Sequence, residues 1–204
     1  MVRMYAHFKI MVGLSWLLSM SWSQIIKADV NWQLKIDREG IQVFQYQQQG
    51  FRQKHSKGMI TIKARAEQLM ALIEDLSRCH QWLYGCKAAQ PFNDGLIHMV
   101  FKGPLWFKDR DVVMSTKTEH IAENKQWLVT TQSYANKHPN DQYVRINQTQ
   151  ASWLISDIGN DQIEVIYELY IDPEISLKSG VNKYNRDAMY LSLRKIRKLI
   201  ELQE

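Results

Sequence analysis

The sequence predicts an α+β fold in which one curved antiparallel sheet covers a long C-terminal helix. Two observations lead there. Strand patterns dominate from Gly40 to Ile171 with one helical stripe among them, and the segment from about Asn182 to Leu202 then turns to a helical period. The 204 residues, 45% hydrophobic and 23% charged, fit one domain with a substantial core and exclude disordered, collagenous and multipass membrane classes. Only four prolines occur, and no repeat or Pro/Gly/Ser linker divides the chain, so residues 29–204 read as a single unit.

The elements follow in order. Gly40 to Tyr46 carries β-formers behind a turn, and Gly58 to Lys63 alternates β-branched residues, so the two are expected to pair as a hairpin. Leu69, Leu72, Ile73 and Leu76 recur at i, i+3, i+4 and i+7, the stripe of a helix lying on a sheet and ending near Arg78 to Trp82. After Asn93-Asp94-Gly95 the pattern returns to strands at Ile97–Lys102, Asp111–Thr118, Gln126–Tyr134, Tyr143–Gln148, Ser152–Ser156 and Gln162–Ile171, a long antiparallel meander. Asp172-Pro173 stops it. The closing helix places Met189, Leu193, Ile196 and Ile200 on one face. A sheet wrapped on such a helix can enclose a cavity, and Val112, Met114 and Thr116 share one side of their strand; ordinary core packing is the competing reading.

Residues 1–28 read as a secretory signal with a basic start (Arg3, His7, Lys9) and an apolar run from Ile10 to Met20. That run is about half the roughly 20 residues of a spanning helix, so removal is expected, with an uncleaved inner-membrane anchor as the alternative. Ser21-Trp22-Ser23 has the small-x-small form that precedes a cut. Export predicts a periplasmic location. The formal charge of +5 is largely a leader effect, because Arg3, Lys9 and Lys27 fall in a stretch without acids and the remainder carries only +2. Clustered basicity of the kind that binds nucleic acid is missing. Cys79 and Cys86 sit beside Trp82 and Tyr84, which suits two buried thiols, with a disulfide as the alternative.

Chemistry-bearing motifs are sparse. The mature histidines 55, 80, 98, 120 and 138 show no ligand spacing, and no GxSxG, GxGxxG or GxxxxGK[ST] occurs, so metal, hydrolase, dinucleotide and P-loop chemistry lack their mechanical parts and no cofactor is expected. Arg110-Asp111 is the most tempting pair. Neighbours on a strand point to opposite faces, so they form no catalytic couple; each pins a strand end, or Arg110 alone reaches a carboxylate or phosphate head group. Tyr167 and Tyr170 likewise lie on opposite faces, so at most one looks into a cavity. Among Thr116, Thr130 and Tyr134, the acid–base candidates in the strands, all are weak at neutral pH. On the last helix, Arg194, Lys195, Arg197 and Lys198 lie beside the apolar face and offer a surface for anionic head groups, or simply a solvated face.

The ordered set of residues resembles one family. Trp32-Gln33-Leu34 and Asp37-Arg38-Glu39-Gly40 resemble its opening tryptophan and turn, Ala66 to Leu76 its first long helix, and Trp82 and Cys86 the segment after it. Most specific is Pro104 to Val113, with Pro-x-x-x-x-x-Arg-Asp before a strand; Val144-Arg145, Trp153, Asp172-Pro173, Gly180 and Asn182 follow in order. On these residues the chain resembles the START lipid-binding domains of the helix-grip, Bet v 1-like superfamily, of the exported bacterial single-domain type. The resemblance implies a helix-grip fold with an internal hydrophobic tunnel between sheet and C-terminal helix, one lipid or other hydrophobic molecule inside it, and neither metal nor chemistry. Steroid-binding branches carry a buried acid–arginine pair whose arginine would fall at Thr116, so a sterol is not implied.

Together these readings predict a tunnel lined by Met99, Phe101, Trp106, Arg110, Val112, Met114, Thr116, Trp153, Met189, Leu193, Ile196 and Ile200. The function expected is non-catalytic binding or transfer of a lipid by a monomer that touches a membrane surface transiently and no nucleic acid. Two alternatives stand beside it: a polyketide cyclase-like enzyme of the same superfamily, and a stress-related interaction protein with a vestigial cavity.

Overall fold

The computed structural model describes residues 30–103 and 107–202. The expected leader and Trp106 lie outside them. In chain order the strands are β1 (Gln33–Arg38), β2 (Ile41–Tyr46), β3 (His55–Lys63), β4 (Cys86–Pro91), β5 (Ile97–Phe101), β6 (Arg110–Ile121), β7 (Gln126–Ser133), β8 (Val144–Arg145), β9 (Gln148–Gly159) and β10 (Gln162–Asp172). The helices are α1 (Ala66–Glu74), α2 (Cys79–Trp82) and α3 (Lys178–Glu201). One open sheet runs β1-β2-β3-β10-β9-β7-β6-β5-β4, antiparallel throughout, with β8 attached in parallel to β6. Its concave side holds α3, as the α+β reading expected. Among the described residues, no helix is long and apolar enough to cross a membrane.

Local chemistry sets the turns. Glu39 and Gly40 both adopt left-handed φ angles, 55° and 67°, and Asn160 and Asp161 do the same at 55° and 53°, giving tight two-residue hairpins that match the right-handed twist of the strands they join. The helical stripe after β3 is shorter than its periodicity implies. Asp75 leaves helical geometry and its carboxylate accepts the Ser77 N–H at 3.1 Å, so the chain passes through a 3-10 turn (Leu76–Arg78) before α2.

The helix seats on the sheet through Met189, Leu193, Ile196 and Ile200, buried with Ile41, Val43, Ile60 and Ile62 of β2 and β3. At the centre of this contact is Gly58 on β3. A Cβ there would stand 2.5 Å from Leu193 Cδ1 and 3.0 Å from Met189 Cγ, so only a residue without a side chain lets the helix approach this closely. Polar ties fix the helix's start. The Gln45 amide donates to Ser56 Oγ (3.0 Å) and to the Asn182 carbonyl (2.9 Å), and Asn182 Oδ1 accepts the Lys54 N–H at 2.8 Å. Near its other end, Arg197 donates to the Glu39 carbonyl (2.7 Å) and Arg194 pairs with the Glu39 carboxylate (3.0 Å). Half of the basic cluster expected to face a membrane therefore holds the β1–β2 turn.

Three further expectations are corrected. The stretch Tyr143–Gln148 is not a rung of the meander: only Val144–Arg145 is strand, it runs parallel to β6, and β7 pairs directly with β9. Its position is set by Asp111, fully buried, which accepts two hydrogen bonds from Arg145 (3.0 and 2.9 Å) and lies 3.0 Å from His98 Nε2. Arg145 also donates to the carbonyls of Ala135, Lys137 and His138 and so gathers the β7–β8 loop. Second, Cys79 and Cys86 are joined as a disulfide instead of standing as two thiols. A tight turn closed by Cys86 N–H to the Leu83 carbonyl brings the start of α2 and the start of β4 to a Cα separation of 5.9 Å, within the range a bridge needs. Third, β1 and β4 are strands that the sequence patterns missed: β1 is a largely exposed edge, and β4 reads Cys-Lys-Ala-Ala-Gln-Pro with no β-branched residue.

Three consequences are testable. Replacing Gly58 with alanine should destabilise the protein by about 1–3 kcal/mol through overpacking, and valine by more, in denaturant unfolding; alanine without cost would mean the helix has room to retreat. Asp111→Asn leaves the Arg145 guanidinium without its counter-charge and should cost about 3–5 kcal/mol by the same measurement, whereas a loss below about 1 kcal/mol would assign the cluster no structural weight. His55 packs against the rings of Tyr46, Phe51 and Tyr170 with its Nε2 buried, and burial holds its pKa below 6.5. The unfolded chain then takes that proton first, so the contribution of His55 is complete above 6.5 and is lost as pH falls from there through the lower folded pKa. His55→Phe should flatten the fall of Tm between about pH 7 and about pH 5; parallel Tm profiles for parent and variant would refute this.

Candidate functional site

Between α3 and the concave face of the sheet lies a pocket of about 670 Å³, within the range of small-molecule sites. Period-2 alternation builds its sheet wall: Met99 and Phe101 of β5, then Arg110, Val112, Met114 and Thr116 of β6, all from one face of their strands. Thr131, Thr149 and Ala151 continue the wall on β7 and β9. An aromatic group closes the part nearest the core. Trp153 stacks on Tyr167 with ring centroids 3.8 Å apart, and Trp82 meets Trp153 edge-on at 6.0 Å. Burial pushes the Tyr167 hydroxyl pKa well above its ordinary value, so it stays a neutral donor.

Of the residues expected to line a tunnel, Met99, Phe101, Arg110, Val112, Met114, Thr116, Trp153 and Met189 surround this pocket together. Leu193, Ile196 and Ile200 do not. They share the helical stripe with Met189 but are buried in the contact with β2, β3 and α1, where the close approach at Gly58 leaves no space. The helix side of the pocket comes instead from the first part of α3, including Val181, Tyr184, Asn185 and Ala188. Tyr167 is the tyrosine of β10 that faces inward, while Tyr170 packs on Phe51 and His55. Thr130 and Tyr134, weighed as acid–base groups, lie outside the lining, and Tyr134 is exposed. Sequence patterns passed over the contribution of Leu83, Leu169 and Ile171. The Leu169 and Ile171 positions follow from Tyr167 by strand alternation; Leu83 follows only from the turn that the disulfide closes.

Arg110 departs from the apolar character of its surroundings. It is 5% exposed, its Nε donates to the Pro173 carbonyl at 3.3 Å, and Nη1 donates to the Lys108 carbonyl. Its guanidinium lies over the Phe107 ring, 5.4 Å from the centroid. Burial lowers its pKa, opposed by the charge of Asp109, but a guanidinium remains protonated at any physiological pH. Asp109 itself is engaged by Lys87 at 2.6 Å and by the Gly103 N–H at 2.9 Å, which holds its carboxyl below the usual range. Asp111 points to the other side of β6, so the adjacent pair divides between pocket and opposite face as strand geometry requires. Among the described residues no group of three or more ligating side chains gathers to hold a metal.

No family model matches the chain. The uncharacterized Pseudomonas aeruginosa protein PA1579 is 25% identical over 178 residues, which span 84% of this chain and 87% of that one. Among solved structures, a STAR-related lipid transfer protein from Xanthomonas axonopodis superposes with a TM-score of 0.74 at 21% identity, covering 83% of this chain and 98% of that one. Human STARD10 gives 0.71 at 20% identity, with 84% and 74% covered. Human StAR-related lipid transfer protein 5 gives 0.74 at 11% identity, with 86% and 89% covered. Identities this low speak for the backbone and not for the cargo, and the backbone is that of a START-like domain: this chain has the helix-grip fold of the START proteins.

Proposed function

We propose that this protein binds one lipid or similar hydrophobic molecule in the pocket between α3 and the sheet and carries it without changing it chemically. The observation that carries this reading is the pocket itself, whose wall is built mainly of apolar and aromatic side chains such as Met99, Phe101, Val112, Met114, Trp153 and Leu169. Such a surface gains most by excluding water against an apolar partner. The buried polar groups on its wall are hydroxyls, an amide and one guanidinium, which orient a ligand but exchange protons poorly near neutrality, so the wall favours binding over cyclase-like catalysis. The lipid-transfer proteins with this fold point the same way.

Exposed Tyr84, Phe107, Leu177 and Tyr184 also line the pocket and so ring its mouth with apolar side chains. This supports exchange of cargo during transient contact with a membrane surface. Export to the periplasm, by removal of residues 1–28, is supported by the short apolar run at Ile10–Met20 and by the Cys79–Cys86 disulfide, a bond that persists in oxidising compartments.

Native mass spectrometry of protein purified from its own host should show a hydrophobic molecule that solvent extracts. Met114→Trp, at the middle of the pocket wall, should keep the fold by circular dichroism and lose both that molecule and uptake of a fluorescent acyl probe. Equal uptake by the folded variant, or a parent protein that takes up neither, would reject the binding reading.

A further inference from the structure

The pocket reading leaves one buried charge unexplained. Arg110 lines the pocket at 5% exposure, and among the described residues no carboxylate forms an ion pair with it. The two acids beside it in sequence are committed elsewhere, Asp109 to Lys87 and Gly103, Asp111 to Arg145 and His98. Glu74, the acid that also lines the pocket, is exposed. A guanidinium taken from water needs a compensating anion or a full set of acceptors. Arg110 has two main-chain carbonyls, on Nε and Nη1, while Nη2 has no hydrogen bond to a described residue.

Those two carbonyls also fix the guanidinium plane, leaving its remaining donors in a set orientation. Phe107, which the guanidinium overlies, is 47% exposed, so this end of the pocket lies toward the mouth. Trp82, Trp153 and Tyr167, all buried, lie at the far end. The site thus has a cation near the opening and an apolar, aromatic-floored space beyond it.

Resting on the binding function proposed above, we infer that the cargo is an amphiphile with a single anionic head, a carboxylate or a phosphate monoester, whose head pairs with Arg110 while its chain runs toward Trp153. Neutral lipids of equal length fill the same space but leave the guanidinium uncompensated. Lys102, which is exposed at the pocket's edge, adds to the positive field that receives the head.

The test is competition against a fluorescent acyl probe on delipidated protein, using dodecanoic acid, dodecyl phosphate, dodecanol and inorganic phosphate. Dodecanoic acid or dodecyl phosphate should displace the probe at least about tenfold more effectively than dodecanol, as a charge-assisted hydrogen bond requires. The stronger of the two identifies the head, and inorganic phosphate alone should not displace. In Arg110→Gln the preference over dodecanol should fall to about twofold or less, and Arg110→Lys should restore part of it. Should Arg110→Gln fail to fold, the parent protein decides: lowering the pH from about 7.5 to about 4 should erase the preference for dodecanoic acid, while dodecyl phosphate, still anionic, keeps its own. Equal displacement by acid and alcohol in the parent, or a preference that survives in folded Arg110→Gln or at the lower pH, overturns the anionic-head inference and leaves the binding function standing. A protein that takes up neither probe nor any of the amphiphiles overturns both.

Discussion

The close approach of α3 to β3 at Gly58 is the constraint on which the rest of the architecture depends. Leu193 and Met189 fill the space that a side chain at Gly58 would take, so at that point helix and sheet are in direct contact. A straight helix touching a curved sheet tightly at one place must separate from it elsewhere, and here it separates toward its own N-terminus. The pocket is that separation. Polar ties keep it open to a fixed width: Gln45 and Asn182 hold the start of the helix to β2 and β3, and Ser192 Oγ accepts the Tyr84 N–H at 2.9 Å, anchoring the segment after α2 to the helix.

Strand β6 translates the same logic into chemistry. Its alternation sends Arg110, Val112, Met114 and Thr116 into the pocket and Asp111 to the opposite face, where Arg145 and His98 compensate it. Two oppositely charged neighbours are thereby kept from neutralising each other. The outward acid organises the β7–β8 loop, and the inward cation is held by the Pro173 and Lys108 carbonyls. Separation of this kind costs desolvation free energy on both faces; the outer face recovers it through Arg145 and His98, and the inner face recovers part of it through the Pro173 and Lys108 carbonyls.

Much of this was legible before any coordinates. The β2–β3 hairpin, strands β5, β6, β7, β9 and β10, the closing helix and the inward set on β6 follow from runs of β-formers and from period-2 and period-3.6 patterns, clearest in β2, β3, β10 and α3, where one face is buried and the other is less so. Elements without that contrast escaped. Strand β1 is an exposed edge, β4 has a composition that does not favour strands, and β8 exists because Arg145 finds Asp111 across 34 positions of sequence.

The sequence by itself determined which residues are apolar on which face, and hence the α+β plan, the identity of the helix stripe and the division of Arg110 from Asp111. Tertiary structure decided that Met189 of that stripe reaches a pocket while Leu193, Ile196 and Ile200 are core. Periodicity makes Met189 and Ile196 equivalent, and only their places along the helix distinguish them: Met189 lies where the pocket meets the contact at Gly58, and Ile196 lies in the core beyond it. It also decided that Cys79 and Cys86 are bridged and that the Arg110 charge meets no paired carboxylate among the described residues, since both depend on how far apart groups lie in space, a quantity that residue order does not contain.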